Sequence, residues 1–283
     1  MFKLNVIDPL RFQVGCFMNG CSPSDLIILS TITKTGTHYL RMAIALRICL
    51  DENAGEKLQI NPLDIDRLFP NNYHNHYLFP RKIKNKTSVQ SSTPFFDLPR
   101  SHMPYQPAWN GVRVLHTYRH PINFITCCYL YKYNSDVRVI NKKLSIKEVV
   151  NKHITGFFNE FESHRIAHEK EKDQIYRINF DRFVSDSSNG LKKLFDWLGM
   201  ETSYKNCRKI NKYIKSAYPN LYAGAGEAWM RNGKGKPSPA AIEQQHYFVK
   251  YNKFDYKAIW EPDLFEEINE LGVQNSFERL DYE

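Results

Sequence analysis

The stretch from Ile27 to Ala45 constrains the fold more than any other part of the chain. Ile27-Ile-Leu-Ser-Thr is apolar or hydroxylated and predicts a short buried strand over 26–32. Thr33-Lys34-Thr35-Gly36-Thr37-His38 follows, small and polar, with one lysine and one glycine. Beyond it Leu40, Met42, Ala43 and Leu46 recur at helical spacing and predict a helix over 37–50. Strand, tight turn and helix bring backbone N–H groups and the positive end of a helix to one point. A junction of that kind holds an anion, and hydroxyls and a lysine complete the cradle.

The same pattern recurs downstream. Gly111 to Tyr118 alternates and is β-branched, predicting a second strand. It runs into Arg119-His120-Pro121, with a proline at the first turn of a helix predicted over 122–133. Pro94, Pro99 and Pro104 keep a helix out of the preceding segment. Residues 145–169 have helical period, with Ser145 and Glu148 spaced as a capping box. Residues 174–180 predict a third strand ending at Asp181, and 190–198 a helix closed by Gly199. A basic helix over 203–217, a Gly- and Pro-rich loop over 218–240 and a last helix over 240–258 complete the chain.

Alternating strands and helices predict an α/β class, a single domain over 26–283 behind an N-terminal segment 1–25. Its centre is a mainly parallel sheet flanked by helices, with a P-loop-like strand–loop–helix at its start. Ligands of such sheets lie outside the C-terminal ends of the strands. Lys34, Arg119 and Asp181 all fall there.

A formal charge of +9 favours an anionic ligand. The lysines are scattered and form no recognition motif, so no nucleic acid is expected. The six cysteines contain no C-x-x-C pair and read as reduced thiols, which predicts a cytoplasmic protein. No signal peptide pattern opens the chain, and no apolar run reaches the ~18 residues of a membrane span. His164 and His168 lie four apart on a predicted helix, but the glutamate of a zinc helix is missing, so no metal is expected.

Four blocks in order resemble the sulfotransferases that use 3'-phosphoadenosine 5'-phosphosulfate. Their phosphosulfate loop, Pro-Lys-Ser-Gly-Thr-Thr-Trp, is matched by Thr33-Lys34-Thr35-Gly36-Thr37-His38-Tyr39. Their catalytic Lys-Thr-His-Leu-Pro is matched by Arg100-Ser101-His102-Met103-Pro104. Their Tyr-x-x-Arg-Asn-Pro is matched by the strand end at Arg119-His120-Pro121, and their late Arg-Lys-Gly loop by Arg231-Asn232-Gly233. The chain departs from the family at Thr33 for proline, Tyr39 for the adenine-facing tryptophan, and Cys127 for the 3'-phosphate serine. A thiol is a poor anion donor, so that contact is weakened or passes to Thr126. Phe180-Asp181-Arg182 stands for the family's Tyr-Glu-Asp.

The resemblance implies a sulfotransferase and its site. Lys34 and His102 are the implied catalytic residues, Lys34 neutralising the leaving phosphate and His102 acting as general base. Lys34, Thr35, Gly36, Thr37, His38, Tyr39, Arg119, Cys127, Phe180, Arg231, Asn232 and Gly233 are the implied donor-binding residues. Phe95, Phe96, Tyr105 and Trp109 crowd around His102 and suggest an acceptor pocket for a small molecule, lipid or sugar. A P-loop-like kinase or nucleotide hydrolase, and a non-catalytic nucleotide-binding protein on the same scaffold, are the alternatives. The family's C-terminal dimerisation segment is not recognisable, which leaves the oligomeric state open.

Overall fold

Leu29 sits in register with two parallel neighbours at once, Arg100 on one side and Leu115 on the other. That pairing is the centre of a computed structural model describing residues 22, 27–32, 35–52, 100–129 and 144–225. In chain order its elements are β1 (Ile27–Thr31), α1 (Thr37–Glu52), β2 (Arg100–Ser101), a 3-10 turn (Pro107–Trp109) and β3 (Arg113–Tyr118). Then come α2 (Pro121–Cys127), α3 (Ile146–Lys170), β4 (Ile175–Asn179), α4 (Phe180–Ser185), α5 (Ser187–Trp197) and α6 (Tyr204–Ala225). The strands lie in the order β2-β1-β3-β4, and every pairing is parallel. The chain is therefore α/β with helices on a parallel sheet, as the sequence predicts.

Parallel sheets need cover on both faces. Leu115 points into one core with Leu40, Ala43 and Leu46 of α1, Leu194 of α5 and Ile210 of α6. Its neighbour Val114 points the other way, packing with Ile28, Trp109, Ala167 and Ile175. Tyr118 lies on that second side too, with Ile32, Phe157 and Phe161. Each fully buried leucine or phenylalanine contributes about 1.5–3 kcal/mol of burial. Both faces of β3 are thereby committed, and only its ends reach solvent.

Local signals hold where they rest on caps. The Ser145 side chain accepts from the Glu148 N–H, and Glu148 Oε2 accepts from the Ser145 N–H at 2.7 Å, closing the predicted capping box. Gly199 ends the helix before it at φ +74°. The boundaries differ elsewhere. The third strand stops at Asn179, because the Asn179 side chain accepts from the N–H groups of Asp181 and Arg182 and starts α4. Asp186 caps α5 at Asn189, so that helix starts at Ser187 and not at Gly190. The predicted loop from 218 is still helix to Ala225, running through Pro219. Proline gives up one helical bond there, and the buried stripe of Cys207, Ile210 and Ile214 anchors the helix. Residues 1–21, 23–26, 33–34, 53–99, 130–143 and everything beyond 225 lie outside the described residues.

One layer between sheet and α3 is polar. His116, His164 and Glu160 are all buried there. Burial pushes the Glu160 carboxyl well above its ordinary 4.5 and the His164 imidazole down to about 4; burial also lowers His116. The signs follow from proton counts. Below about 6.5 the unfolded chain holds imidazole protons that buried His116 and His164 lack, so these two make stability rise with pH. Glu160 acts oppositely: above its ordinary 4.5 it keeps a proton that the unfolded chain has lost, so its contribution falls as pH rises toward its folded pKa, by up to about 1.4 kcal/mol per pH unit. Once the imidazoles are neutral in both states, that fall is the part of the three that is left. Urea unfolding across pH should show that alkaline fall, and Glu160→Gln should flatten it; parallel curves would refute the assignment.

Candidate functional site

The turn after β1 is built around Gly36. Its φ of +94° is a conformation that side chains rarely adopt. A Cβ there would also lie 2.0 Å from Cε2 of Phe180. Thr35 is fully buried, and its hydroxyl donates to the Ile32 carbonyl at 2.5 Å. The same hydroxyl lies 2.7 Å from Oγ1 of Thr117 on β3. Thr35 thus staples the turn onto the neighbouring strand. Thr37 opens α1, and its hydroxyl shares a 2.6 Å bond with Oγ1 of Thr31, the last residue of β1. Both hydroxyls are engaged within the protein, and among the described residues the backbone N–H groups of the first helical turn are donors this junction offers a ligand. That turn carries no acidic residue to neutralise it. Gly36 and His38 are its half-buried members.

His102 arrives at this junction from 71 residues away. Its Nδ1 bonds the Thr31 backbone carbonyl and lies 3.3 Å from Thr31 Oγ1. A carbonyl can only accept, so the proton is on Nδ1 and the ring's lone pair is on Nε2. That is the tautomer a general base requires. The approach is fixed by β2, whose Ser101 pairs with Ser30 of β1. Tyr105 and Trp109, expected in an acceptor pocket, instead pack against His164 of α3, and Trp109 is wholly buried. Their aromatic rings face the core because the 3-10 turn folds them under the sheet. Phe95 and Phe96 lie outside the described residues.

Arg119 follows β3. Its Nε and Nη2 donate to Oδ1 of Asp181 at 3.1 and 2.6 Å, and Nη1 reaches Sγ of Cys127 at 3.0 Å. Asp181 Oδ2 also accepts from the His120 N–H at 2.8 Å. One carboxylate therefore ties the ends of β3 and β4 together. Burial opposes the Arg119 charge, but Cys127 and Asp181 outweigh it and the pKa is raised. The guanidinium lies 5.9 Å from the centre of the Phe180 ring. Phe180 is itself buried, packed on Gly36 and edge-on to Tyr39. Thr126, the alternative partner to Cys127, donates its hydroxyl to the Ile122 carbonyl within α2.

Tyr39 is buried in the core of α1, with Phe180 and Phe183 edge-on to its ring. Its hydroxyl donates to Asn211 at 2.9 Å, and Asn211 donates to Ser187 at 2.6 Å. Burial pushes the phenol pKa up, so Tyr39 is a neutral donor. Thr35, Gly36, Thr37, His38, His102, Arg119, Cys127 and Phe180 are all placed along the C-terminal ends of β1, β3 and β4. Lys34, Arg231, Asn232 and Gly233 lie outside the described residues. Sequence reasoning missed Thr31 and Thr117, hydroxylated residues at the last and next-to-last positions of β1 and β3. Among the described residues no group of three or more metal-ligating side chains occurs, and no helix is long and apolar enough to cross a membrane.

No family model matches the chain, and no curated protein matches it in sequence. Among solved structures it is similar to a mouse sulfotransferase, SULT7A1 complexed with PAP, at a TM-score of 0.57 and 16% identity. That match covers 89% of this chain and 84% of the other. Retinol dehydratase in complex with androsterone and inactive cofactor PAP matches at a TM-score of 0.49 and 13% identity, over 90% of this chain and 88% of that one. Retinol dehydratase with retinol and PAP matches at the same score and identity, over 87% and 86%. The mouse enzyme shows that this chain has the sulfotransferase fold.

Gly36→Ala should cost about 1–3 kcal/mol for its backbone alone, plus the clash with Phe180. Unfolding in urea should then show Phe180→Ala recovering part of the loss in the double variant; strict additivity would contradict the contact. Asp181→Ala should destabilise by on the order of 2 kcal/mol, less than the roughly 3–5 of a fully buried pair because this one is partly solvated.

Proposed function

We propose that this chain is a sulfotransferase that moves a sulfuryl group from 3'-phosphoadenosine 5'-phosphosulfate to a hydroxyl or amine of a small-molecule, lipid or sugar acceptor. One observation carries the reading. His102 is held by Thr31, in the Nδ1–H tautomer, beside the first residue of the helix that follows the Gly36 turn. A base and an anion-binding helix end meet at one strand terminus. The sulfotransferase fold supports the same reading.

The donor set fits the donor co-substrate in part. The N–H groups of the α1 first turn suit its 5'-phosphate, and Lys34, next to Thr35 in sequence, would supply the cation. Arg119 would face the 3'-phosphate, and Arg231, Asn232 and Gly233 would be further donor-binding residues. Bound there, the donor supplies the activated sulfuryl group for in-line transfer. His102 would take the acceptor's proton on Nε2 as the acceptor's bond to sulfur forms and the bond from sulfur to the 5'-phosphate oxygen breaks, with 3'-phosphoadenosine 5'-phosphate leaving. The Thr31 carbonyl holds the imidazole in place and stabilises the imidazolium that results. Positioning and charge stabilisation do the remaining work, as in phosphoryl transfer. The reading places the chain in the cytoplasm as one domain from about residue 26.

A second reading has its own support. Arg119 is already paired with Asp181, and Cys127 occupies the serine's place. Both weaken the 3'-phosphate grip and favour a non-catalytic nucleotide-binding protein on this scaffold.

Calorimetry with 3'-phosphoadenosine 5'-phosphate in a chelating buffer should show binding with no need for a divalent metal. No binding, or binding only with Mg²⁺, would overturn the sulfotransferase reading and favour a kinase or hydrolase. Replacing His102 with alanine should slow transfer by about 10²–10⁴-fold and leave that binding intact. Binding by the wild type with no transfer to any hydroxyl or amine acceptor would favour the non-catalytic reading.

A further inference from the structure

A polar layer lies between the sheet and α3. His116 of β3 and His164 of α3 stack face to face there, with ring centres 3.9 Å apart and planes 8° from parallel. Neither ring is exposed. His116 Nδ1 donates to the Ser30 carbonyl at 3.1 Å, and His164 Nδ1 donates to the Glu160 carbonyl at 2.8 Å. Both protons are thus on Nδ1, both rings are neutral, and neither Nε2 has a hydrogen-bond partner among the described residues. Parallel rings send their lone pairs out in parallel planes, which suits stacking and not chelation.

The pair touches both anchors of the segment that carries His102. On the sheet side, His116 holds the carbonyl of Ser30, and the next carbonyl, that of Thr31, accepts from His102. On the helix side, the Tyr105 N–H donates to Ser163 Oγ at 2.9 Å, and the rings of Tyr105 and Trp109 pack on His164 at 6.0 and 6.2 Å. Residues 102–109 are therefore fastened to β1 at one end and to α3 at the other, and the stacked rings join the two fastenings. Arg177 lies over Tyr118 and Phe161 beside them, and its charge disfavours protonating either imidazole.

We infer that the stacked His116–His164 pair is a positioning element that sets the tautomer of His102 by docking residues 102–109 against the end of β1. It acts through ring stacking and the His116 Nδ1 bond to the Ser30 carbonyl, without touching a ligand. The catalytic consequence rests on His102 being the base; the tautomer does not. Phenylalanine keeps the stack and gives up only the bond to a carbonyl of its own helix, so an aromatic ring without nitrogens should replace His164. Alanine should not.

The test is ¹⁵N NMR of the histidine rings, read for His102 in the whole chain. Wild type and His164→Phe should show His102 as a single Nδ1–H tautomer. His164→Ala should show mixed tautomers, with kcat down about tenfold or more and KM for the donor unchanged. A single Nδ1–H tautomer in His164→Ala would overturn the proposal, as would equal losses in the phenylalanine and alanine variants. Should His164→Ala fail to fold, Ser163→Ala removes the Tyr105 bond together with the serine's own bond to the Glu160 carbonyl, leaves the stacked rings, and must also mix the tautomers, or the proposal fails. If His102→Ala transfers at the wild-type rate while these tautomer shifts still occur, the base assignment is wrong and the positioning stands.

Discussion

Everything at the site depends on β1 being paired on both sides by parallel strands. Parallel strands end on the same edge of their sheet. The registers of Leu29 with Arg100 and Leu115, and of Thr117 with Ile178, therefore line up four strand ends that are far apart in sequence. His102 leaves from one, the Gly36 turn from the next, Arg119 from the third and Asp181 from the fourth. An antiparallel arrangement of the same segments would scatter these groups over two edges.

Hydroxyls and carbonyls then lock the ends together. Thr35 reaches across to Thr117, Thr37 back to Thr31, and Asp181 over to Arg119 and His120. These contacts are buried or half-buried, where an unmade hydrogen bond costs about 1–3 kcal/mol. Their cost if broken makes the edge rigid. A rigid edge presents backbone N–H groups at fixed places, and preorganised donors are what transfer of a charged group needs. The stacked imidazoles extend the same logic one layer deeper.

Much of this was legible in the sequence because its signals were local. The β-branched run at Val112 to Thr117, the Ser145–Glu148 box and Gly199 each dictate conformation within a few residues. The order of strands and helices then left a parallel α/β sheet as the economical packing. What the sequence hid was direction. Nothing in Thr-His-Tyr says that Tyr39 turns into the core toward Phe183 and Asn211, because either face of that helix could bear an aromatic ring. Trp109 near His102 suggested a pocket, yet it packs beneath the sheet. The exchange of partners at Arg119 was equally unreadable, since an aspartate 62 residues away only becomes its neighbour through strand pairing. His164 read as one half of a weak metal pattern, and its stacking on His116 needed the sheet to exist first.

The central claim is that the end of this edge holds a phosphate of a nucleotide. Amide hydrogen exchange, measured with and without 3'-phosphoadenosine 5'-phosphate, tests it most directly. Added nucleotide should slow exchange in residues 35–40 and 119–127 and leave residues 205–215 of α6 unchanged. Protection absent from the turn before α1, or confined to segments away from these strand ends, would contradict the account.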